Sequence, residues 1–502
     1  MGNGLSAIVS IGLTFLLSQV MTKVIWANKY PDGKRKQAWP TAPSQLPYFW
    51  NAFDAFHVSY CKSFTEWSQK IGTLFSVKIG QKRVIVLNEP KLVRQTFVEM
   101  DQYNSSRTLS DTVEVIMSDN GKTVFTAPFT LYWSRLRRGI NKVIGKSQYH
   151  GWMDLFHRQA EKFVNGISLN DAKVVEADQL RQLVELIALH ISLHIVVGEE
   201  VDPETMLTLT QKVQKAEVWQ KESWHIYSRF FPVVRQLYVA FTALLGNRSI
   251  TYLRNDILEI FLTVQKDEQK GIAAALADIA PSKNDPTPEQ LTKDQILVNL
   301  VHLTVHSYKY LSAALFSALQ RVATSADWQN KMLDKDPEQA LRYAKAFINE
   351  VLRYDGPVKM FSHAARVDYE LTVDDKAYRV DEDVELVANL DAIHFDERYY
   401  AEPHQFNPDR FLGTSYVSLL DEKVPTSKGL NARDHLAFGA GRRACQGSLV
   451  AEEMLAAILL KVVQTYQLKH QGIIRTQVMS GVWSWMGRME TKGNDIEFIK
   501  RP

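Results

Sequence analysis

Apolar residues recur every three to four positions along most of this 502-residue chain, and this spacing predicts a mainly helical fold. The pattern is clearest over residues 211–230, 294–323 and 448–467. Short stretches rich in β-branched residues predict a minor β portion; they span 74–79, 83–86, 371–373 and 384–388. Because neither an internal repeat nor a boundary interrupts residues 49–502, we predict that they form one domain.

The N-terminus has a different pattern, which predicts a transmembrane helix within residues 1–28. No charged side chain occurs from Gly2 to Thr22, and about 20 such residues span a bilayer core of about 30 Å. Lys23 and Lys29 follow, so the chain after the span is predicted to lie in the cytosol. The alternative is a cleaved signal peptide, but the basic n-region of such peptides is absent. Residues 29–48 contain four prolines and predict a stiff linker.

Composition adds few constraints. Apolar residues make up 45% and charged residues 23%, as in ordinary globular proteins, and a net charge of +3 is too small to predict a nucleic-acid partner. Two cysteines allow one disulfide at most, which favours a reducing compartment. We expect Cys61, in a segment rich in aromatics, to be a small buried apolar residue.

Cys445 stands in a different setting, at the end of the glycine-rich stretch Phe438-Gly439-Ala440-Gly441-Arg442-Arg443-Ala444. Gly439 and Gly441 permit tight turns with positive φ. A predicted helix begins directly after the loop, so its dipole and free N–H groups favour a thiolate at Cys445. The preceding arginines suit carboxylates. The stretch therefore predicts a thiolate that binds a metal or a cofactor with acidic groups; an incidental cysteine in a glycine-rich loop is the alternative.

This stretch resembles the heme-binding signature of the cytochrome P450 superfamily, F-x-x-G-x-R-x-C-x-G. Every fixed position matches: Phe438, Gly441, Arg443, Cys445 and Gly447. The resemblance implies a cytochrome P450 fold over residues 49–502 and heme b, with Cys445 as the axial ligand of its iron. The proline that usually follows the cysteine is Gln446 here, which affects hydrogen bonding near the sulfur.

Two further segments follow the family order. Glu350-Val351-Leu352-Arg353 resembles the E-x-x-R motif, whose acid and base face the same side of a helix. Residues 406–411, which include Arg410, resemble F-x-P-E-R-F. The resemblance implies that Glu350, Arg353 and Arg410 form a buried structural network near the heme.

The same resemblance implies which side chains bind the heme propionates. Trp133 and Arg137 match W-x-x-x-R, and their one-turn spacing allows both to donate to one carboxylate. His363 and Arg443 stand where further propionate partners are expected. For His363 the alternative is a solvated histidine in a loop.

The distal helix departs from the family pattern A/G-G-x-D/E-T, whose acid and threonine are thought to deliver protons. Our alignment places His306-Ser307-Tyr308-Lys309-Tyr310 there, so Lys309 replaces the acid and Tyr310 the threonine. Thr304 lies about 120° away on the helix and does not restore the pattern. Ser307 lies about one turn before Tyr310 on nearly the same face and is an alternative proton relay.

The resemblance implies a monooxygenase that receives electrons from NADPH through a separate reductase and oxidises a small, mostly apolar substrate. The anchor implies a single-pass protein of the endoplasmic reticulum. Residues 352–358 resemble the soluble bacterial branch of the family, and their combination with a eukaryotic type of anchor suggests a fungal enzyme of secondary metabolism. The altered distal helix leaves alternatives open. These are oxidative coupling or cyclisation without oxygen insertion, a dioxygen-independent isomerase or dehydratase, and a heme binder without catalysis.

The expected pocket is apolar and aromatic. Its predicted walls are the loop before Trp133, His302 and His306, residues 358–361 and residues 482–486. Lys359 is unusual in such a setting, and we expect it either to contact an acidic substrate or a heme propionate or to be exposed.

Overall fold

A computed structural model describes most of the chain. It covers residues 38–42, 60–79, 82–108, 112–168, 174–221, 247–264, 271–280, 290–412, 434–470, 474–478 and 489–502. The predicted membrane span and most of the predicted linker lie outside these residues. Pro40–Ala42 is the exception: the Ser76 N–H donates to the Pro40 carbonyl at 2.7 Å and the Ala42 N–H to the Ser76 carbonyl at 3.0 Å. This part of the predicted linker therefore runs beside a strand.

Helices dominate the described residues, as the apolar periodicity predicts. They are α1 (Tyr60–Ile71), α2 (Pro90–Arg94), α3 (Asp101–Asn104), α4 (Thr112–Met117), α5 (Leu131–Ile144), α6 (Met153–Ser168), α7 (Ala177–Val197), α8 (Pro203–Lys221), α9 (Asn247–Val264), α10 (Gly271–Ala277), α11 (Lys293–Val322), α12 (Ala326–Lys331), α13 (Pro337–Tyr354), α14 (Leu390–His394) and α15 (Ser448–Thr465). A π-helical turn spans Gln95–Glu99, and 3₁₀ turns span Tyr149–Trp152, Pro408–Phe411 and Gly441–Arg443.

The strands are short and form small sheets. They are β1 (Leu74–Ile79), β2 (Lys82–Leu87), β3 (Val174–Val175), β4 (Met360–Ala364), β5 (Tyr369–Val373), β6 (Lys376–Val380), β7 (Glu385–Asn389), β8 (Tyr466–Lys469), β9 (Arg475–Val478), β10 (Met489–Lys492) and β11 (Ile496–Lys500). The largest sheet has the order β1-β2-β7-β4, in which only β2 and β7 are parallel, with Val84 opposite Glu385. The others are β3-β11-β8, β9-β10 and β5-β6.

The described residues divide into two compact units. The smaller contains Trp39 and residues 370–380, where the Trp39 indole donates to the Arg379 carbonyl at 2.9 Å and packs on Tyr378. The larger contains Pro40–Tyr369 and Asp381–Pro502.

The long helix α11 lies at the centre of the larger unit. It begins at a capping box, in which Thr292 and Gln295 each accept from the other's backbone N–H. Helix α7 packs along it. In the described part of the chain α7 alone is long and apolar enough to cross a membrane, but 61% of its most apolar window is buried. Its packing against α11 identifies it as a core helix.

The predicted elements agree with the structure in most bounds. The expected helix 294–323 is α11, and the strand at 74–79 is β1. Two differences concern helix ends. The prediction over 448–467 runs too far, since α15 ends at Thr465 and Tyr466 begins β8. The prediction over 211–230 starts too late, since α8 begins at Pro203, and residues 222–230 lie outside the described part.

Candidate active site

The Cys445 loop connects the 3₁₀ turn Gly441–Arg443 to α15. The Cys445 N–H donates to the Phe438 carbonyl at 2.8 Å, which closes the loop. Gly439 and Gly441 have φ values of +76° and +65°, as predicted for tight turns. A Cβ atom on Gly441 would overlap the Phe97 carbonyl oxygen, so the loop fits against the π-helical turn only with glycine at this position.

The Cys445 side chain is exposed, but many protein atoms lie close to its sulfur. Burial raises its pKa, and the Gly447 N–H and the Arg137 guanidinium oppose that rise. These two groups stabilise the thiolate, and a bound cation would do so further. The loop therefore presents a sulfur atom that would be deprotonated most readily when it binds a cation.

Gln446, at the position where the family usually has proline, links this loop to α5. Its side-chain amide donates to the Arg137 carbonyl at 2.7 Å, and the Arg137 side chain donates to the Ala444 carbonyl at 2.6 Å. The two bonds run in opposite directions between the same segments. The exchange of proline for glutamine thus adds a contact that fixes α5 beside the thiol.

Arg443 is the centre of a cationic cluster. It donates to the carbonyls of Ser105, Val124 and Ala127 at 2.8, 3.2 and 2.6 Å. Burial, with the charges of Arg107 and Arg137, lowers the pKa of Arg443 to about 8. All three of these acceptors are neutral, so an anion is the partner that would restore its ordinary basicity.

Arg107 is a member of this cluster that the sequence motifs did not reveal. It is half-buried, and its charge lowers the pKa of Arg443, His363 and His306. It is thus near both the Cys445 loop and α11. No family motif quoted for this chain includes it, and only the three-dimensional arrangement shows its place.

Trp133 lies in this cluster, with the guanidinium of Arg443 at 4.3 Å and that of Arg137 at 5.4 Å from its ring. Its indole N–H donates to the Val124 carbonyl at 3.0 Å, so a propionate would have to share this N–H with the carbonyl or replace the carbonyl as its acceptor. The joint donation of Trp133 and Arg137 to one propionate stays a prediction.

His363 is in β4 and 1% exposed, so the alternative of a solvated loop histidine is wrong. Its ring lies 4.0 Å from that of Phe97, and its buried Nδ1 has no hydrogen-bond partner. Burial and the charges of Arg107 and Arg443 keep its pKa well below the usual range. An unsatisfied buried nitrogen beside the guanidinium groups of Arg107 and Arg443 fits a ligand that carries carboxylates, as heme does.

Glu350, Arg353 and Arg410 form one contact network. Arg353 donates to both carboxylate oxygens of Glu350 at 2.7 and 2.8 Å, and both side chains are fully buried. Arg410 lies 3.5 Å from the same carboxylate and donates to the carbonyls of Ala401, Glu402 and Gln405.

Two histidines that the motifs missed join this network to the Cys445 loop. His394 accepts from the Leu436 N–H at 3.0 Å through Nε2, and its Nδ1 lies 3.1 Å from the Arg353 carbonyl. His435 contacts the Asn349 amide oxygen at 2.9 Å and accepts from the Ala437 N–H at 3.3 Å. Burial lowers the pKa of His435 to about 4 and that of His394 well below its ordinary value, so both are neutral at neutral pH.

The aligned distal residues lie in the middle of α11, where the helix has a partly accessible face. This face consists of His306, Ser307, Tyr310, Leu311 and Ala313, whereas every residue from Ile296 to Val305 is buried. At 100° per residue the five positions fall within a sector of roughly 160°. We call this sector the distal face.

Lys309 does not belong to the distal face. Its side chain is fully buried, and its charge contributes to the low pKa of His306. Lys309 as a catalytic position stays a prediction, and in this structure its side chain is buried outside the distal face. Thr304 is also buried and lies outside the distal face, and its hydroxyl has no hydrogen-bond partner.

The expected pocket walls have mixed outcomes. His302 is nearly buried and contacts the Thr123 hydroxyl at 2.8 Å, while His306 is on the distal face. Lys359 is 1% exposed and donates to the Tyr354 carbonyl at 2.8 Å, so the expectation of an exposed side chain is wrong, while its contact with an acidic substrate or a propionate stays a prediction. Residues 482–486 lie outside the described part of the chain.

Comparison with known proteins identifies the family. A family model described as Cytochrome P450 matches residues 40–483. Trans-cinnamate 4-monooxygenase of Petroselinum crispum is 21% identical over 86% of this chain and 87% of its own length. Melianol synthase of Citrus sinensis is 23% identical over 87% and 85%, and Cytochrome P450 monooxygenase 69 of Postia placenta is 23% identical over 86% and 83%.

Proposed function

This chain belongs to the cytochrome P450 family of heme monooxygenases, and we propose that it binds heme b through Cys445 and oxidises a small, mostly apolar organic substrate. When bound, the heme supplies the redox chemistry that inserts or removes atoms at an unreactive carbon. The observation that carries the proposal is the accessible Cys445 thiol, with the Gly447 N–H and Arg137 stabilising its thiolate.

The residues around Cys445 have distinct roles in this proposal. Cys445 ligates the iron, Phe438 and Gly441 shape the loop that presents it, and Arg443 binds a propionate. The lowered pKa of Arg443 supports that role, because a carboxylate would restore its basicity. The orphaned Nδ1 of His363 supports a second contact to the same group.

The test is spectroscopic and needs no substrate. The reduced protein with carbon monoxide should show the red-shifted Soret band of a thiolate-ligated heme. Cys445→Ala should abolish that band, while Cys61→Ala should keep it, since Cys61 is fully buried in a separate apolar cluster. A wild-type protein without this band would contradict the proposal.

We further propose that electrons come from NADPH through a separate reductase, and that residues 1–28 anchor the chain in the endoplasmic reticulum membrane. The uncharged stretch from Gly2 to Thr22, followed by Lys23 and Lys29, supports the anchor. A fungal role in secondary metabolism belongs to this proposal too, and the relatives include proteins of Postia placenta as well as of Citrus sinensis. Membrane fractionation with and without residues 1–28 tests the anchor, and release of the full chain by carbonate washing would oppose it.

A second candidate function follows from the distal face. The acid and threonine of the family pattern are absent, and Tyr310 stands where the hydroxyl is expected. Oxidative coupling or cyclisation without oxygen insertion, or a dioxygen-independent isomerisation or dehydration, would need no such pair. Turnover of candidate metabolites with and without NADPH and reductase separates these reactions. Tyr310→Thr tests the residue itself, because a gain of hydroxylation would show that the phenol suppresses it.

A further inference from the structure

The distal face lacks the acid–threonine pair, but it carries one imidazole. His306 and Tyr310 lie one turn apart near its middle, and Ser307 lies beside them. The ring centres of His306 and Tyr310 lie 5.9 Å apart. Of these side chains, an uncharged imidazole is the one that donates a hydrogen bond from one nitrogen and accepts at the other.

Two aromatic contacts fix the orientation of His306. Phe125 stacks on it, with ring centres 4.4 Å apart and planes inclined by 12°. His302 meets it edge-on at 4.3 Å from the preceding turn of α11. A ring held between two others has little freedom to turn away from the distal face, so its nitrogens keep constant directions.

His302 and Phe125 are themselves fixed by the segment Thr123–Ala127. The Thr123 hydroxyl contacts Nδ1 of His302 and the Thr126 hydroxyl, both at 2.8 Å. Next in sequence, the Val124 N–H donates to the Asn299 side chain of α11 at 2.8 Å. The segment thus ties the support of His306 to the Asn299 side chain of α11.

The same segment touches the heme-binding side. The Val124 carbonyl accepts from Trp133 and from Arg443, and the Ala127 carbonyl accepts from Arg443. Arg107 adds a link, since its charge acts on both His306 and Arg443. Residues 123–127 therefore connect the side chain of Arg443, next to the Cys445 thiol in the loop, to His306 on the distal face.

We propose that His306 is the catalytic hydrogen-bonding residue of the distal side, in place of the acid and threonine, and that Phe125, His302 and Thr123 are its positioning residues. This inference rests on the proposed function, because it assumes a heme held by Cys445. Burial and the neighbouring charges keep His306 neutral, so its ring N–H can donate a hydrogen bond to a molecule bound on the distal side while its other nitrogen accepts one from water.

The infrared stretch of carbon monoxide bound to the reduced protein tests this inference without a substrate. A hydrogen-bond donor at the ligand shifts the stretch, and exchange into heavy water shifts it further because the donor proton is exchangeable. His306→Phe keeps the stacked ring but has no donor, so it should abolish both effects. Ser307→Ala and Tyr310→Phe remove the two other donors of the distal face, and the heavy-water shift should persist in both if His306 is the donor.

The positioning role has its own test. Thr123→Val keeps the side-chain shape and removes the hydroxyl that holds His302, so it should broaden or split the carbonyl stretch. Thr123→Ser should restore the single band. Once a substrate is known, His306→Phe should lower product formed per NADPH by on the order of 10²-fold.

The outcomes separate the two proposals. If wild type lacks the red-shifted Soret band, the proposed function fails. If wild type has the band and His306→Phe leaves the carbonyl stretch and its heavy-water shift unchanged, the role of His306 is overturned and the proposed function stands. Should His306→Phe fail to fold, His306→Gln replaces it: an amide donor in another position should move the stretch, and an unmoved stretch counts against His306.

Discussion

Replacing Glu350 with glutamine isolates the charge of the buried network, because the two side chains have nearly the same shape. Glu350 and Arg353 are both fully buried, and Arg353 donates twice to the carboxylate. The carboxylate also accepts the Asn407 N–H at 2.8 Å. Glutamine would replace one acceptor oxygen with a donor that faces other donors, and would leave the Arg353 guanidinium buried without its counter-ion.

Removal of one partner from a buried ion pair costs about 3–5 kcal/mol. Domains are stable by only about 5–15 kcal/mol, so Glu350→Gln should remove a large part of the free energy of unfolding. The loop that carries Cys445 should be affected too, since the Arg353 carbonyl and the Leu436 N–H both contact His394.

Glu161→Gln is the matched control. Glu161 pairs with Lys461 at 3.3 Å on the surface, where the two side chains are 61% and 39% exposed. Exposed pairs contribute about 0–1 kcal/mol. Urea unfolding followed by far-ultraviolet circular dichroism measures both variants, and the Soret absorbance measures heme retention. If the two variants lose the same stability within 1 kcal/mol, the assignment of Glu350 as a buried charge partner is refuted.

Three further predictions concern the Cys445 loop. Gly441→Ala should reduce heme binding and lower the free energy of unfolding by more than about 2 kcal/mol, since left-handed strain adds to the overlap with the Phe97 carbonyl. Gly439→Ala should cost only the strain, about 1–2 kcal/mol in the same urea assay, because the atom nearest to its added Cβ, the Ala444 Cα, lies 3.8 Å away. Arg443→Met should lower heme affinity in a heme-transfer assay, whereas Arg442→Met, which loses an exposed pair with an acid, should not. Acidification should weaken the fold, because the pKa of His435 is about 4 in the folded protein and about 6.5 in the unfolded chain. The stability that neutral His435 contributes above pH 6.5 is lost as the pH falls towards 4, by up to about 3 kcal/mol. The urea midpoint should therefore fall between pH 7 and about pH 4.5 by more in wild type than in His435→Asn, and an equal fall in both would contradict this.

Local periodicity predicted the central elements well. Helix α11 is within one residue of its expected bounds at each end, and β1 matches exactly. Both signals are local, because burial along one element leaves a period in the sequence. The end of α15 was missed for a non-local reason: Tyr466 and Gln467 pair with β11, and that pairing overrides the helical periodicity.

The candidate site was predictable where a motif exists and not elsewhere. Cys445 and Arg443 stand in the heme-binding signature, and Glu350 stands in the E-x-x-R motif. Arg107 and His394 do not, and their positions depend on contacts across long separations in sequence, such as His394 with Leu436. Lys309 shows the converse, because its motif position is at the distal site while its side chain is in the core.

The two sides of the proposed heme site are not independent, and Val124 is the reason. Its carbonyl accepts from Trp133 and Arg443 on the Cys445 side, while its N–H donates to Asn299 on α11. A propionate that draws the Arg443 guanidinium away would leave Trp133 as the remaining donor to the Val124 carbonyl. The adjacent residues are Thr123, which contacts His302, and Phe125, which stacks on His306. Two of the three hydrogen bonds that position Arg443, those to Val124 and Ala127, therefore join the segment that supports the unusual distal face to the proposed heme-binding side.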